Sequence, residues 1–237
     1  MTYRDIRKVI KFELLRQVRF WDGQKRKTKR SIYKLFKHWR NHEACIEESN
    51  RSFEFYNGGD FLDIGAFKGY YSALLAPKAK PGSHFVSVEP DPHALPALIG
   101  NIAGLAQTFP HVKFSVINTA CGFGEIAEVI VDHGHPCYQS SSESSGGQGM
   151  PTIDGLCAGL GLKPSLIKID VEGAEYSVLL GAKEALNHVD KVVIEMHPQW
   201  LPEGVTVETL RETLNSHSLV NKYTFNRDAQ PLEWYGR

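Results

Sequence analysis

Short apolar runs alternate with amphipathic stretches through most of the chain after residue 53. Apolar runs that stop at glycine or an acidic residue are typical of buried parallel strands. Apolar residues spaced three and four apart are typical of helices. The predicted strands are 61–64, 84–89, 112–117, 125–132, 166–170 and 191–196. The predicted helices are 70–79, 92–105, 152–160, 172–186 and 207–216, with a hairpin at 222–234. This alternation predicts an α/β fold whose mostly parallel sheet carries helices on both faces.

A segment rich in serine and glycine interrupts this alternation at residues 133–150. We predict a loop there, and its length favours a role in binding. His135 and Tyr138 have polar side chains that can contact a hydroxyl-rich molecule such as a sugar, so we expect them in the substrate pocket. The alternative is a linker without a role in binding.

Charge divides the chain into two parts, although the formal net charge is zero. Residues 1–40 hold 14 Lys and Arg against 3 acidic residues, whereas the remainder holds 13 against 24. Apolar spacing at 3–20 and 32–39 predicts two helices in the basic part. We therefore predict a basic helical N-terminal extension at 1–50 and one α/β domain at 51–237.

The purpose of the basic extension stays open at this point. Contact with nucleic acid, contact with an anionic membrane, and packing on the domain or on a second subunit of a homo-oligomer all fit its charge. The four cysteines form no CxxC pair, and we find neither a secretory signal nor an apolar stretch of membrane-spanning length. We expect a cytoplasmic protein, with peripheral membrane attachment as the alternative.

The end of the first predicted strand holds the first candidate binding residues. Asp63 is followed by Gly65, Ala66 and Gly69, and glycines let a backbone approach a ligand closely. A dinucleotide fingerprint has no acid in this position, so an NAD(P) dehydrogenase is disfavoured. A carboxylate here suits a cationic amino-acid group, such as that of S-adenosylmethionine. The alternative is that Asp63 caps the next helix.

Acidic residues also end the next strand and a later one. Glu89 stands 20 residues after Gly69, where a carboxylate can accept hydrogen bonds from ribose hydroxyls. Asp170 and Glu172 follow the strand at 166–170, and we expect them beside the methyl donor and the acceptor, respectively. The alternative is that these acids only cap or stabilise the positive end of a helix.

The last central strand ends in a carboxylate and an imidazole, Glu195 and His197. Such a pair can orient and deprotonate a hydroxyl group. Our candidates for the general base are His197 first, then Asp170 or Glu195. As an alternative, Asp170, Glu172 and Glu195 could hold Mg²⁺, which would acidify a bound hydroxyl.

The motifs together resemble those of the FkbM family of methyltransferases over about residues 53–200. The matching segments are DIGA at 63–66, GYYS at 69–72, EP at 89–90, Asn101, LIKIDVEGAE at 166–175, LGA at 180–182 and IEMH at 194–197. The block KIDVEGAE is the most specific of them. One departure is Phe67, because the family often has asparagine at that position.

The resemblance implies a class I methyltransferase fold, which is Rossmann-like, and S-adenosylmethionine as the methyl donor. It also implies O-methylation of a sugar or polyketide-type hydroxyl. By family position Asp63, Gly65, Gly69 and Glu89 would contact the donor, with Asp170 near its methionine end. Two other functions remain open: a nucleic-acid methyltransferase that uses residues 1–50, and a nucleotide-binding protein without catalysis.

Overall fold

The computed structural model describes residues 43–123, 125–132, 135–141, 150–227 and 229–237. Only the backbone is described at 43–46, 125–132, 135–141 and 227. The two helices predicted at 3–20 and 32–39 lie outside the described residues.

The described residues form a seven-stranded sheet and a separate two-stranded hairpin. The hairpin comes between the third and fourth sheet strands in the sequence. The sheet strands are β1 Asp60–Ile64, β2 His84–Val88, β3 Lys113–Ile117, β6 Pro164–Ile169, β7 Lys191–Glu195, β8 Val220–Arg227 and β9 Gln230–Gly236. The hairpin strands are β4 Glu125–Asp132 and β5 His135–Ser141. The sheet order is β3-β2-β1-β6-β7-β9-β8. The first five strands of that order are parallel, and β9 runs antiparallel to both β7 and β8.

Helices cover both faces of the sheet, as predicted. They are α1 Glu43–Phe55, α2 Tyr70–Leu75, α3 Leu95–Thr108, α4 Ile153–Leu160, α5 Glu175–Leu180, α6 Lys183–His188 and α7 Val207–Ser216. Among the described residues, 3₁₀ turns occur at Ala76–Lys78 and Pro198–Trp200. Successive residues of β1 enter different cores: Phe61 packs with α2 and α3, whereas Leu62 packs with α4 to α7. This two-sided burial explains why the strands are almost entirely apolar.

Two predicted elements were wrong. Residues 135–141 form strand β5, where we predicted a loop, because they pair antiparallel with β4 in a register that joins Val129 to Tyr138. The helix predicted at 172–186 is divided into α5 and α6. Asp154 of α4 accepts hydrogen bonds from the backbone N–H groups of Glu184 and Ala185, at 3.0 and 2.8 Å, and so provides a cap for α6.

Helix α1 was not predicted as an element, and it packs on the α/β domain. Glu48 is buried and accepts a hydrogen bond from the Tyr71 hydroxyl at 2.7 Å. Ser52 accepts one from the indole nitrogen of Trp234 at 3.2 Å. The helix therefore runs through residue 50, and the division of the chain at that residue stays a prediction.

The sheet order places a ligand crevice between β1 and β6. The chain leaves β1 towards β2 and β3 on one side, and later returns to β6 on the other side. Ligands of open α/β sheets bind outside the carboxyl ends of the strands at such a reversal. The acidic residues predicted for the site lie at or just beyond the carboxyl ends of β1, β2, β6 and β7.

Candidate active site

The loop after β1 lies against the end of β6. Gly65 and Gly69 have φ values of 78° and 80°, in the left-handed region that glycine adopts without strain. A Cβ atom on Gly65 would lie 1.7 Å from the carbonyl oxygen of Asp170. The backbone N–H of Ala66 donates to the carbonyl of Val88 at 3.0 Å. Glycine at position 65 is therefore required by a close approach of two strand ends.

Asp63 is a buried carboxylate without a hydrogen-bond partner on either oxygen among the described residues. It does not cap α2, whose N-cap is Gly69 without a side-chain hydrogen bond. Burial raises the pKa of Asp63 to about 7, although the Lys168 ammonium, 3.6 Å away, opposes that rise. A buried carboxyl group in this state is suited to a cationic partner.

Lys168 was not among the predicted site residues, although it lies at the centre of the crevice. Its ammonium donates to the carbonyl of Gly65 at 2.6 Å and forms an ion pair with Asp170 at 3.1 Å. The sequence signal was a single lysine inside an otherwise apolar strand, because a lysine is almost never fully buried without a partner.

Glu89 binds the loop after β1 through its carboxylate. One oxygen accepts the N–H of Phe67 at 2.6 Å, and the other accepts the N–H of Asp91 at 2.8 Å. Burial raises the pKa of Glu89, and these two hydrogen bonds oppose the rise. Each oxygen keeps a second lone pair, so the predicted contact with ribose hydroxyls remains compatible with the structure.

Phe67 adopts a left-handed backbone with φ of 48°, and its ring is half exposed. Asparagine tolerates this conformation better than most residues, whereas a bulky side chain is strained in it. The backbone conformation at position 67 therefore favours asparagine, the residue that the family often has there, over phenylalanine.

His197 lies in the middle of three carboxylates. Its Nδ1 is 2.7 Å from Oε1 of the fully buried Glu175. Its Nε2 is 3.5 Å from Glu172 and 3.8 Å from Asp170. The imidazole also stacks on Trp200, with ring centroids 5.3 Å apart. The structure thus brings together three predicted site residues, His197, Asp170 and Glu172, and adds Glu175; their roles stay predictions.

A tight turn between β6 and α5 makes this arrangement. Glu172 and Gly173 have φ values of 53° and 105°, and the N–H of Gly173 donates to Glu175 at 3.0 Å. The N-cap of α5 is Ala174, and it makes no side-chain hydrogen bond. Asp170 is therefore not a cap for this helix.

The charges in the cluster alter two pKa values. Burial lowers the pKa of His197, but the hydrogen bond to Glu175 and the charges of Glu175, Asp170 and Glu172 outweigh it and raise the pKa to about 9. The imidazole is therefore protonated at neutral pH. Burial, aided by the Asp170 charge, raises the pKa of the nearby Glu195 carboxyl group.

The cluster contains one group of side chains that could hold a metal ion. Ligand atoms of Asp170, Glu172 and His197 lie within 4.8 Å of one another. The group differs from the predicted one, in which Glu195 took the place of His197. An imidazole suits Mn²⁺, Fe²⁺ or Zn²⁺ better than Mg²⁺, which prefers oxygen ligands.

The two remaining predicted substrate residues belong to the hairpin. The backbone of His135 and Tyr138 lies in strand β5. Their side chains lie outside the described residues, and their contact with an acceptor stays a prediction.

A glycine loop and acidic strand ends at the reversal of a mostly parallel sheet are features of Rossmann-like methyltransferases. The chain belongs to the FkbM methyltransferase family, because the family model described as "Methyltransferase FkbM domain" matches residues 63–225. This confirms the resemblance and the fold class predicted from the motifs.

Two relatives illustrate the similarity. The hexuronic acid methyltransferase AglP of Haloferax volcanii is 27% identical over 147 residues, which cover 61% of this chain and 58% of that protein. The chain thus spans somewhat more than half of the length of this relative. The crystal structure of an FkbM methyltransferase from Methylobacillus flagellatus KT has a TM-score of 0.54 and 19% identity, and the match covers 76% of this chain and 44% of that one. At this identity the second match supports the fold alone.

The described helices also bear on the membrane question raised by the basic extension. Within the described residues, no helix is both long enough and apolar enough to cross a bilayer.

Proposed function

We propose that this protein transfers a methyl group from S-adenosylmethionine to a hydroxyl group of a sugar, a glycan or a related natural product. The observation that carries the proposal is the assembly at one sheet edge of two side chains: Asp63, a buried carboxylate without a hydrogen bond among the described residues, and His197, a histidine held among carboxylates. The first suits the amino-acid group of the donor, and the second suits a hydroxyl group that must lose its proton.

The donor supplies a methyl carbon that its sulfonium activates for attack. The acceptor oxygen forms a bond to this carbon, the carbon–sulfur bond breaks, and its electron pair stays on sulfur. Asp63 and the Gly65–Gly69 loop hold the donor, and Glu89 contacts its ribose. Alignment of this kind contributes several kcal/mol to a displacement reaction, and a positioned base adds about 10²–10⁴-fold.

His197 is the proposed base, in its neutral form. Glu175 fixes the ring through Nδ1 and leaves Nε2 directed towards Asp170 and Glu172, which are both partly exposed. The hydroxyl proton passes to Nε2. Because the pKa of His197 is raised to about 9, the base is mostly protonated at neutral pH, and turnover rises as the pH increases towards that value.

The sugar acceptor is supported by one relative and by the charge of the site. AglP is named a hexuronic acid methyltransferase. The partly exposed carboxylates of Asp170 and Glu172 can accept hydrogen bonds from neighbouring hydroxyls of a sugar ring.

A divalent cation is the alternative to the histidine base, because binding it would occupy the Nε2 atom of His197. Asp170, Glu172 and His197 would hold it, and it would acidify a bound hydroxyl. Dialysis against a chelator, followed by separate addition of Mg²⁺ and Mn²⁺, tests this with turnover as the measurement. Full activity after chelation would remove the metal from the mechanism.

The decisive experiment has two stages. Calorimetric titration with S-adenosylhomocysteine compares the wild type with Asp63→Asn and with Asp60→Asn, a matched change at the opposite end of β1. Mass spectrometry then follows methyl transfer to neutral glycosides, uronic acids and an RNA oligonucleotide. We expect the wild type and Asp60→Asn to bind S-adenosylhomocysteine and Asp63→Asn to lose this binding. We also expect the wild type to methylate a sugar.

Two other results of this experiment would favour the two alternative functions left open by the sequence. Methylation of RNA alone would favour the nucleic-acid methyltransferase that uses residues 1–50. Absence of donor binding by the wild type would favour the nucleotide-binding protein without catalysis.

A further inference from the structure

Lys168 is a charged side chain inside the sheet, and the proposed chemistry leaves it unused. It is 4% exposed and lies on β6, where its Cα is paired in register with that of Asp63 on β1. Residues paired in this way project to the same face of a sheet. The Lys168 ammonium and the Asp63 carboxylate are therefore neighbours because of strand register.

The contacts of Lys168 are distributed unequally over its neighbours. Its Nζ is 2.6 Å from the carbonyl oxygen of Gly65 and 3.1 Å from Asp170, but 3.6 Å from Asp63. An ammonium group has three N–H donors, and the two short contacts involve the other two partners. Both oxygens of Asp63 remain without a hydrogen bond in the described chain, because the ammonium is 3.6 Å from the nearer one.

The Lys168 ammonium is shared between two carboxylates. It lies 3.1 Å from Asp170 and 3.6 Å from Asp63. A ligand ammonium beside Asp63 would supply the hydrogen-bond donors that this side chain lacks among the described residues. Charge-assisted hydrogen bonds of this type are stronger than neutral ones.

We propose that Lys168 is a positioning residue for the methyl donor. It holds the Gly65 carbonyl in place and pairs most closely with Asp170, so that the oxygens of Asp63 stay available to the α-ammonium of the donor. The inference rests on the proposed function, because only a donor with an amino-acid group carries this ammonium.

Removal of the Lys168 ammonium would change the site in two ways. Asp170 would lose the cation that lies 3.1 Å from it, and the two carboxylates would repel each other. The Gly65 carbonyl would lose its donor, and the loop that lies closest to the ligand would lose its attachment to β6. Binding of the amino-acid group of the donor would therefore be weakened, whereas binding of the nucleoside depends on Glu89.

The test compares two ligands that differ only at this point. S-Adenosylhomocysteine has the amino-acid group, and 5′-methylthioadenosine has the same nucleoside and thioether sulfur without it. Calorimetry measures both ligands on the wild type, Lys168→Met, Lys168→Gln and Lys168→Arg. Lys191→Met is the matched control, because Lys191 lies on the neighbouring strand β7 and donates to the carbonyl of Phe55 instead.

We expect Lys168→Met and Lys168→Gln to weaken binding of S-adenosylhomocysteine by about tenfold or more, because the charge-assisted contact between Asp63 and the α-ammonium would be displaced. Binding of 5′-methylthioadenosine should change by less than about twofold, within the experimental spread of a neutral substitution. Lys168→Arg should retain most of the preference for the larger ligand, and Lys191→Met all of it.

Equal weakening of both ligands by Lys168→Gln would show a structural role only and overturn the inference. The same holds if the wild type binds both ligands equally well. Should Lys168→Met not fold, the comparison of Lys168→Gln with Lys168→Arg provides the answer. A wild type that binds neither ligand would refute the proposed function itself, which separates the two failures.

Discussion

The Nδ1 atom of His197 and the Oε1 atom of Glu175 are 2.7 Å apart, and the Glu175 side chain is completely buried. A hydrogen bond between a carboxylate and an imidazole fixes the orientation of the ring and stabilises its protonated form. The same contact thus positions the proposed base and raises its pKa.

Replacement of Glu175 by glutamine should move the pH dependence of turnover to lower values. A neutral amide does not stabilise the imidazolium, so the pKa of His197 should fall from about 9 towards its ordinary value. The measurement is kcat against pH for the wild type and Glu175→Gln. Glu184→Gln, an exposed change on α6, is the control and should leave the profile unchanged. An unshifted profile for Glu175→Gln would remove His197 from the role of base.

The His197 cluster should also make stability depend on pH. The folded pKa is raised above the unfolded one, so the contribution is complete below about pH 6.5 and is lost as the pH rises through about 9. A shift of this size corresponds to an order-of-magnitude contribution of about 3 kcal/mol. Urea denaturation at pH 6 and pH 10, compared with His197→Gln, measures it. Equal loss of stability in both proteins would contradict this assignment.

Gly173→Ala should lower activity by displacing Trp200. A Cβ at this position would lie 2.7 Å from both the Cβ and the carbonyl oxygen of Trp200, and φ of 105° is unfavourable for alanine. Trp200 stacks on His197, so the base moves with it. We expect a fall in kcat with donor affinity retained. Gly159→Ala, where an added Cβ meets no atom within 4 Å, is the control.

Truncation of the N-terminus should separate the basic part from the helix that packs on the domain. Removal of residues 1–42 leaves α1 intact, whereas removal of 1–50 takes away Glu48 and leaves the buried Tyr71 hydroxyl without this acceptor. A buried donor that loses its charged acceptor costs about 1–3 kcal/mol, and Tyr71 would keep only its longer hydrogen bond with Ser52. Thermal unfolding should show a clear loss only for the second truncation. Equal Tm values would support a division at residue 50.

The sequence predicted those parts of the molecule that depend on local pattern. Apolar runs such as that around Leu62 marked the buried strands, and the acids at strand ends placed Asp63 and Asp170 at one edge. Lys168 and Glu175 were missed as members of the site because their roles depend on partners that sheet order and a tight turn bring near. Strand β5 was missed because pairing with β4, and not its serine-rich composition, determines its structure.

The link between Lys168 and Gly65 joins residues that are 103 positions apart in the chain. Contacts of such separation form late in folding, because closing a long loop costs entropy before the contact is made. The donor site therefore exists only once β6 has joined β1. A ligand that binds this site binds the native chain alone and at 100 times its Kd adds about 2.7 kcal/mol to the free energy of unfolding. The concentration of methyl donor in a cell would then influence the fraction of the protein that is folded as well as its rate of turnover.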